Sequence, residues 1–343
     1  MGEKTRDLRI LVTGGQGFLG GALVRALVSL GFSRVAATAR RAAPELEELG
    51  VELVAADLSD DAQARAATQD RDVVFHTAAK AGVWGDFADY YNINVKATHS
   101  LLQGCREHKV PYFIHTSSPS VTFQGGPSEN ETEDADYGHQ PLNNYCRTKI
   151  ESERDVLQTN GETRTLALRP HLIYGPGDPH LIPRVFEAAE KGRLVRVGDG
   201  LNRVDVTHVK DAVASQLCAL ARRDRPEIWG EAYFITSGVP IRLWSWLAHL
   251  LQWKGLPGAS RSLSLGKAVL LGKGMERLYA ALGKRDEPPI THFSALQLGC
   301  HHTYSIEKAR RLLGYEPTVN PYHPFEQQFQ MIDDWACFEP LFR

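Results

Sequence analysis

The 343-residue sequence has few cysteines, no long apolar run and almost no net charge. Its 5 cysteines form no C-x-x-C pair, which argues against a disulfide framework or a zinc knuckle and favours a reducing cytoplasm. No run of about 18 uncharged apolar residues occurs, and residues 1–7 have no apolar core, so we expect neither a membrane span nor a signal peptide. The formal net charge of −2 gives no general reason to expect nucleic-acid binding.

What the sequence does contain is a glycine-rich turn at its start. Hydrophobic residues make up 43% of the chain, enough for a sizeable core, and the length suits a nucleotide-binding domain with a second lobe. Residues 8–20 read Leu-Arg-Ile-Leu-Val-Thr-Gly-Gly-Gln-Gly-Phe-Leu-Gly, an apolar strand that runs through glycines into an apolar helix pattern. Glycines let the backbone approach a pyrophosphate, whose charge the helix N-terminus stabilises. This context predicts a dinucleotide site rather than a flexible glycine loop.

The end of the second predicted strand bears on the choice of cofactor. This strand covers residues 34–39 and is followed by Arg40 and Arg41. An NAD site usually places an acid on the ribose 2′-hydroxyl about 20 residues after the glycines, whereas arginine accommodates a 2′-phosphate. No Asp or Glu occupies residues 38–41. We therefore predict NADP(H). The alternative is NAD(H), in which case the arginines merely solvate the strand end.

Two side chains one helical turn apart suggest the chemistry. Tyr145 and Lys149 share one face of a predicted helix because they are four residues apart. A tyrosine with a pKa of about 10 is a poor base at neutral pH, but a nearby ammonium favours the phenolate. Ser118 follows the fifth predicted strand, residues 112–115, where it can hydrogen-bond a substrate oxygen. Each feature alone also fits a surface helix or a turn cap; in this order they predict a dehydrogenase site.

These residues also resemble a known family. Gly14-x-x-Gly17-x-x-Gly20 with the Tyr-Lys pair resembles the extended short-chain dehydrogenase/reductases. Three further stretches resemble the 3β-hydroxysteroid dehydrogenase branch of this family: residues 78–85, 116–121 (Thr-Ser-Ser-Pro-Ser-Val) and 168–184. Within that branch they are similar to sterol-4-carboxylate 3-dehydrogenases and, more closely, to bacterial 2-alkyl-3-oxoalkanoate reductases. We therefore expect an α/β fold with a Rossmann-type doubly wound parallel sheet in residues 1–175, to which 203–236 return. Residues 176–343 would form a smaller, mostly helical substrate-binding lobe.

The resemblance implies roles for individual residues. Ser118, Tyr145 and Lys149 would be catalytic, with Tyr145 as acid and base in a reversible hydride transfer. The cofactor-binding residues predicted from the resemblance and the patterns above are Gly14, Gly17, Phe18, Leu19, Arg40, Asp57, Leu58, Ala78, Lys80, Asn94, Tyr145, Lys149, Pro170 and Ile173. Asp57 would touch the adenine, although a cap on the next helix fits it nearly as well. Asn94 would support the hydrogen bonds of the active site.

The predicted substrate is a lipophilic small molecule, either a 3-hydroxy or 3-oxo acid or a 3β-hydroxysteroid. Its candidate contacts are Trp84, Ser118, His180 and Arg184. Trp84 would wall a lipophilic pocket, and His180 or Arg184 would hold a carboxylate; packing and solvation are the alternatives for these side chains. The basic amphipathic helix predicted over residues 263–282 would guard the pocket, touch a membrane surface or simply pack within the lobe.

Partners, metals and alternative functions complete the expectations. The resemblance implies a homodimer through the helices at residues 91–108 and 144–160, and we expect a cytoplasmic protein, with membrane association as an option. His301 and His302 lack a carboxylate or cysteine cluster, so we expect no metal. A nucleotide-sugar epimerase would need an arginine directly before Asp205, where Val204 stands, and a non-catalytic NADP-sensing regulator generally lacks the Tyr-Lys pair. If the strand at residues 203–209 is regular, Arg203 lies on the opposite face from Val204.

Overall fold

The computed structural model describes residues 5–331 and 334–342 as alternating strands and helices. Its strands are β1 (Ile10–Thr13), β2 (Val35–Ala39), β3 (Glu52–Ala55), β4 (Val73–His76), β5 (Tyr112–Thr116), β6 (Ser128–Glu131), β7 (Arg164–Pro170), β8 (Ile173–Tyr174), β9 (Val195–Val197), β10 (Arg203–Val204), β11 (Thr207–His208), β12 (Ala232–Ile235), β13 (Ile241–Arg242), β14 (Arg261–Leu263) and β15 (His302–Tyr304). Its α-helices are α1 (Phe18–Ser29), α2 (Pro44–Glu47), α3 (Asp61–Ala66), α4 (Phe87–Tyr91), α5 (Ala97–Glu107), α6 (Asn144–Gln158), α7 (Leu181–Glu190), α8 (Val209–Ala221), α9 (Leu243–Trp253), α10 (Leu265–Ala281), α11 (His292–Gly299) and α12 (Phe325–Gln330). Shorter segments are the 3-10 helices Pro119–Val121, Pro226–Ile228 and Ala336–Phe342 and the π-helices Asn92–Lys96 and Ala309–Leu313.

Seven parallel strands form the central sheet in the order β3-β2-β1-β4-β5-β7-β12. The predicted Rossmann-type, doubly wound α/β fold is confirmed. The strand order reverses between β1 and β4, where Thr13 is in register with His76. In open sheets of this kind, ligands bind outside the carboxyl ends of the strands at this switch point. The glycine turn follows β1 directly, so the fold brings it to that position.

The central strands are apolar along their length because helices cover both faces of the sheet. Ile10 and Val12 are fully buried in a core with α1 and α8, whereas Leu11 between them is buried in a second core with α3, α5 and α6. This alternation follows from the two-residue period of a strand. Both cores lie beside the switch point and hold its strand ends rigidly.

The second lobe is mostly helical, with α7 and α9–α12, but it also contains small sheets. Four strands pair in the order β13-β10-β15-β6, and two further pairs are β8 with β11 and β9 with β14. Trp244, Trp246 and Leu250 of α9 pack with Tyr174 in the lobe core. Several of these strands have two residues each, too few for an alternating pattern to show in the sequence. Within the described residues, no helix has the length and apolar character needed to cross a bilayer.

Two predicted elements differ in the structure. The helix predicted over residues 90–108 is interrupted by the π-helix Asn92–Lys96, a geometry that often marks functional sites. The strand predicted over 202–209 is split into β10 and β11 at Asp205, whose carboxylate accepts the backbone N–H of Tyr304 at 2.7 Å. The domain limits stay a prediction, since β6 pairs with the lobe strand β15 and the C-terminal Phe338 packs in the core of α1 and α8.

Candidate active site

The glycine turn packs closely against neighbouring backbone at the switch point. Gly14 has φ +70°, and a Cβ there would lie 2.9 Å from the Cα of Ala78 at the end of β4. A Cβ at Gly20 would clash with the carbonyl oxygen of Gly14. Gly17 precedes α1 and has no side chain to cap its first N–H groups. Phe18 and Leu19 form the first turn of this helix. These features fit the pyrophosphate of a dinucleotide, which needs a close approach to backbone N–H groups.

The ends of β2 and β3 bring an exposed arginine near a carboxylate. Arg40 follows β2, and its charge contributes to lowering the pKa of Asp57, after the hydrogen bonds that Ser59 donates. The cap of α3 is Asp60, whose carboxylate accepts the N–H of Gln63 at 2.9 Å. The capping alternative for Asp57 is therefore wrong. Leu58, the next residue, is buried.

Asn94, in the π-helix, ties the loop after β4 to the helix of the Tyr-Lys pair. Its Oδ1 accepts the N–H of Lys80 at 2.7 Å, and its Nδ2 donates to the carbonyl of Lys80 and to Thr148 Oγ1, each at 3.1 Å. Asn94 is 2% exposed, so water does not compete with these bonds. The side chain thus holds two segments of the candidate site in a fixed relation, consistent with its predicted supporting role.

Tyr145 lies in the first turn of α6, which begins after the cap Asn143. Burial raises the pKa of Tyr145 to about 12, and a side-chain hydrogen bond with Ser118 offsets part of this shift. The two hydroxyls predicted to act on one substrate oxygen are therefore close enough to interact. Burial, rather than Lys149, dominates the pKa of this phenol, so Tyr145 is a protonated acid at neutral pH.

Lys149 is 2% exposed and lies beneath Tyr145 on α6. Its Nζ donates to the carbonyl of Thr116 at 2.7 Å and lies 3.5 Å from His115 Nε2. Burial lowers the pKa of Lys149 to about 8, while the charge of Glu153 raises it. A buried ammonium needs such acceptors. The sequence did not reveal them, because they belong to β5, 33 residues before Lys149.

A buried ion pair that the sequence analysis missed joins α6 to β7. The guanidinium of Arg169 donates to both carboxylate oxygens of Glu153, the shortest contact being 2.6 Å. The two side chains are 4% and 0% exposed, and the hydroxyl of Tyr137 donates to Glu153 at 2.8 Å. The spacing Tyr145-x-x-x-Lys149-x-x-x-Glu153 is the signal that could have revealed it, since it places the three on one helical face.

The turn between β7 and β8 lies at the carboxyl edge of the sheet and is flanked by Pro170, at the end of β7, and Ile173, at the start of β8. Leu172 has φ 44°, a left-handed conformation that costs a residue with a Cβ free energy. His171 holds the turn: its backbone N–H donates to Thr207 Oγ1 at 3.2 Å, and its Nε2 lies 2.7 Å from His302 Nδ1. The strained backbone is therefore fixed from both sides.

The candidate substrate contacts lie at different places. Trp84 Nε1 donates to the carbonyl of Lys284 at 3.3 Å, so this ring is joined to the segment after α10. Arg184 forms two hydrogen bonds with the carboxylate of Glu287, at 3.0 and 2.9 Å. His180 is exposed just before α7. The structure thus gives Arg184 a carboxylate partner within the chain.

Comparisons with known proteins identify the family of this chain. The model of the 3-beta hydroxysteroid dehydrogenase/isomerase family matches residues 11–265. The chain is 41% identical over 317 residues to a 2-alkyl-3-oxoalkanoate reductase of Stenotrophomonas maltophilia (strain K279a), covering 91% of this chain and 96% of that protein. It is 31% identical over 326 residues to the decarboxylating sterol-4-alpha-carboxylate 3-dehydrogenase of Mus musculus, covering 93% and 89%.

Solved structures share the fold. The UDP-glucuronic acid 4-epimerase of Bacillus cereus, in complex with NAD, is similar with a TM-score of 0.71 and 25% identity, covering 95% of this chain and 99% of that chain. Together with the family model and the named reductases and dehydrogenases, this shows that the chain belongs to the 3-beta hydroxysteroid dehydrogenase/isomerase family of the extended short-chain dehydrogenase/reductases and is an NAD(P)-dependent oxidoreductase.

Proposed function

We propose that this oxidoreductase interconverts a 2-alkyl-3-oxo acid and the corresponding 3-hydroxy acid, with NADP(H) as its cofactor. The observation that carries the proposal is the arrangement of Tyr145 and Lys149 one turn apart on α6, with Lys149 buried and hydrogen-bonded to the carbonyl of Thr116 at the end of β5. The interaction of the Tyr145 hydroxyl with Ser118 adds to this support. The substrate class is supported by the 41% identity to a protein named for such a reaction. A 3β-hydroxysteroid is the second candidate, because sterol dehydrogenases are 31% identical.

The chemistry divides among three side chains. When bound, the nicotinamide supplies or accepts the hydride. Tyr145, protonated at neutral pH, donates its proton to the carbonyl oxygen during reduction and recovers it during oxidation. Ser118 hydrogen-bonds the same oxygen and stabilises its developing charge. Lys149 binds the nicotinamide ribose and, as an ammonium, stabilises the phenolate that Tyr145 becomes after it has donated its proton.

The proposed cofactor contacts run along the carboxyl edge of the sheet. Gly14, Gly17 and the first turn of α1 hold the pyrophosphate, while Asp57 and Leu58 hold the adenine. Ala78, Lys80 and Asn94 follow β4, and Pro170 and Ile173 approach the nicotinamide from the turn after β7. The support for this path is that all these segments follow strands of one parallel sheet, on the carboxyl edge that contains the switch point.

We predict that Arg40→Ala weakens NADPH binding about tenfold or more, because a charge-assisted hydrogen bond to the 2′-phosphate is lost. NADH binding should stay within about twofold, since NADH has no such phosphate. Arg34→Ala is the matched control, because Arg34 is equally exposed but precedes β2 at the opposite edge. Fluorescence titration with both dinucleotides measures the effect. Equal losses for NADPH and NADH would assign Arg40 a general role and remove the support for NADP(H).

A nucleotide-sugar epimerase activity is disfavoured by the position that would bind the diphosphate. Val204 occupies it and is fully buried in the lobe core. Arg203 points away from that core and lines a cavity of about 430 Å³ together with Asp205. The arginine is therefore on the opposite face from Val204, as the strand period predicts.

We also propose that α10 contacts the surface of an anionic membrane. Exposed leucines form a stripe along α10 and just past its end, and exposed basic side chains accompany the stripe; these are Leu270, Leu271, Leu278 and Leu282 with Lys267, Lys273, Arg277 and Lys284. Leu270 alone is 73% exposed. A helix with this pattern lies in the membrane interface, held by apolar burial and by attraction to anionic lipids.

Localisation and oligomeric state are also proposals. Four free cysteines that are buried support a cytoplasmic protein, and a homodimer through α5 and α6 is proposed from the family resemblance.

The double variant Leu270→Ser/Leu278→Ser should reduce binding to vesicles that contain phosphatidylserine by about tenfold or more. The reason is that it removes two apolar side chains that the membrane would bury. Co-sedimentation of the protein with vesicles measures this. Leu49→Ser/Leu201→Ser is the matched control, since both leucines are exposed elsewhere, 39% and 57%. Equal binding by the two double variants, or no preference for anionic over neutral vesicles, would contradict the membrane contact.

A further inference from the structure

Residues 284–287, which follow α10 and are called the mouth segment below, connect two parts of the molecule. On one side, the carbonyl of Lys284 accepts the indole N–H of Trp84, from the loop after β4. Arg285 lies 3.8 Å from Asp86 of the same loop. On the other side, Glu287 forms the two hydrogen bonds with Arg184 of α7. The mouth segment therefore joins a loop of the nucleotide-binding sheet to a helix of the lobe.

This junction lies next to the candidate catalytic tyrosine. The Nδ2 of Asn144, the residue before Tyr145, donates to the carbonyl of Gly85 in the loop after β4 at 2.9 Å. The buried Tyr90 closes this loop, because its hydroxyl donates to the carbonyl of Trp84 at 3.0 Å. Burial raises the pKa of Tyr90 to about 12, and the charge of Glu287 adds to this shift while that of Arg184 opposes it. The pair of Arg184 and Glu287 is thus within electrostatic reach of the site.

The ion pair of Arg184 and Glu287 has a geometry that suits a carboxylate, but it contributes little stability. Its geometry is two-pronged, the arrangement in which a guanidinium binds a carboxylate most specifically. The side chains of Arg184 and Glu287 are 54% and 30% exposed. Water therefore competes with the pair, and an exposed ion pair contributes little net stability. Another carboxylate can replace that of Glu287 at small cost.

We propose that the carboxylate of the substrate replaces Glu287 on Arg184, so that Glu287 is an internal competitor that keeps the mouth segment closed until an acid substrate binds. The proposal rests on the proposed function, since it requires a substrate with a carboxylate. Under this proposal, Arg184 selects acids over uncharged analogues. Glu287 raises the Kd of the acid, because the acid must displace it from Arg184. Release of Glu287 frees the mouth segment from α7 while Trp84 still holds its other end.

The test is a binding titration in the presence of NADP⁺ with a long-chain 2-alkyl-3-hydroxy acid and its methyl ester. Glu287→Gln should lower the Kd of the acid about fivefold, the worth of an exposed ion pair, and leave the Kd of the ester unchanged. Arg184→Met should raise the Kd of the acid by at least about fivefold and again spare the ester. In the Arg184→Met background, Glu287→Gln should add nothing. Glu52→Gln is the matched control, because Glu52 forms a similar two-pronged pair with Arg71 at the opposite edge of the sheet.

Two results would overturn the proposal: equal effects on acid and ester, or an effect of Glu287→Gln that persists without Arg184. Either would mean that Glu287 only packs the mouth segment. The titration needs no turnover, so it separates this proposal from the proposed function. If the wild-type protein binds the acid but does not oxidise it, the proposed function fails, and the Kd values still decide the role of Glu287.

Discussion

Tyr145→Phe should lower kcat for ketone reduction about a thousandfold, because it removes the proton that the carbonyl oxygen receives in the transition state. Its hydroxyl is close enough to Ser118 to interact with it, and burial raises its pKa to about 12, so the proton is present at neutral pH. The phenyl ring fills the same space, so folding should be unchanged. We expect the Kd of NADPH to stay within about twofold of the wild-type value, because the pyrophosphate contacts are distant from the hydroxyl.

The measurement combines steady-state kinetics, a fluorescence titration with NADPH and a circular dichroism spectrum. Tyr112→Phe is the matched control: Tyr112 begins β5, at the edge of the sheet opposite the glycine turn, and stacks on Trp229. Its kcat should equal that of the wild-type protein. A Tyr145→Phe variant that is folded, binds NADPH and keeps kcat within about tenfold would show that Tyr145 is not the acid, since acid catalysis normally contributes more.

Arg169→Met should lower the free energy of unfolding by about 3–5 kcal/mol, because it leaves the carboxylate of Glu153 buried without its hydrogen-bonded ion-pair partner. Glu153 is fully buried and would keep only the hydrogen bond from Tyr137. The double variant Arg169→Met/Glu153→Met removes both charges and should recover most of this loss, since apolar side chains can replace a buried pair at little cost. Urea unfolding of the wild-type, single and double variants measures both effects.

The ion pair has a consequence for the site as well as for stability. Glu153 lies one turn after Lys149, and Arg169 directly precedes Pro170 at the end of β7. The pair therefore fixes the helix that carries Tyr145 against the strand that leads to the proposed nicotinamide contacts. A loss below about 1 kcal/mol in Arg169→Met, or a double variant less stable than the single one, would contradict this account.

Local spacing explains what the sequence predicts well. The turn from β1 through Gly14 and Gly17 into α1, and the one-turn spacing of Tyr145 and Lys149, depend on neighbouring residues, so their periodicity shows in the sequence. The parallel sheet follows from the alternation of strands and helices. The two-residue strands β8 and β13 and the polar strand β6 carry no such periodicity and were not predicted.

Contacts between distant segments could not be predicted from the sequence. The acceptor of Lys149 is a backbone carbonyl 33 residues earlier, and a backbone atom leaves no mark in residue identity. Arg184 and Glu287 are 103 residues apart, and their pairing depends on how α10 is placed in the lobe. The sequence indicates that Arg184 can bind a carboxylate of the substrate. Only the structure shows that Glu287 is its partner within the chain.

The most direct test of the central claim is isotope transfer from NADPH that carries deuterium at C4 of the nicotinamide. The protein is incubated with each C4 epimer of this NADPH and a long-chain 2-alkyl-3-oxo acid, and in parallel with a 3-ketosteroid, and the products are analysed by mass spectrometry. We predict that one epimer delivers one deuterium to the carbinol carbon of the 3-hydroxy acid. Transfer to the steroid alone would move the substrate to the sterol class. An absence of deuterium in both products, from a protein that binds NADPH, would contradict hydride transfer as its function.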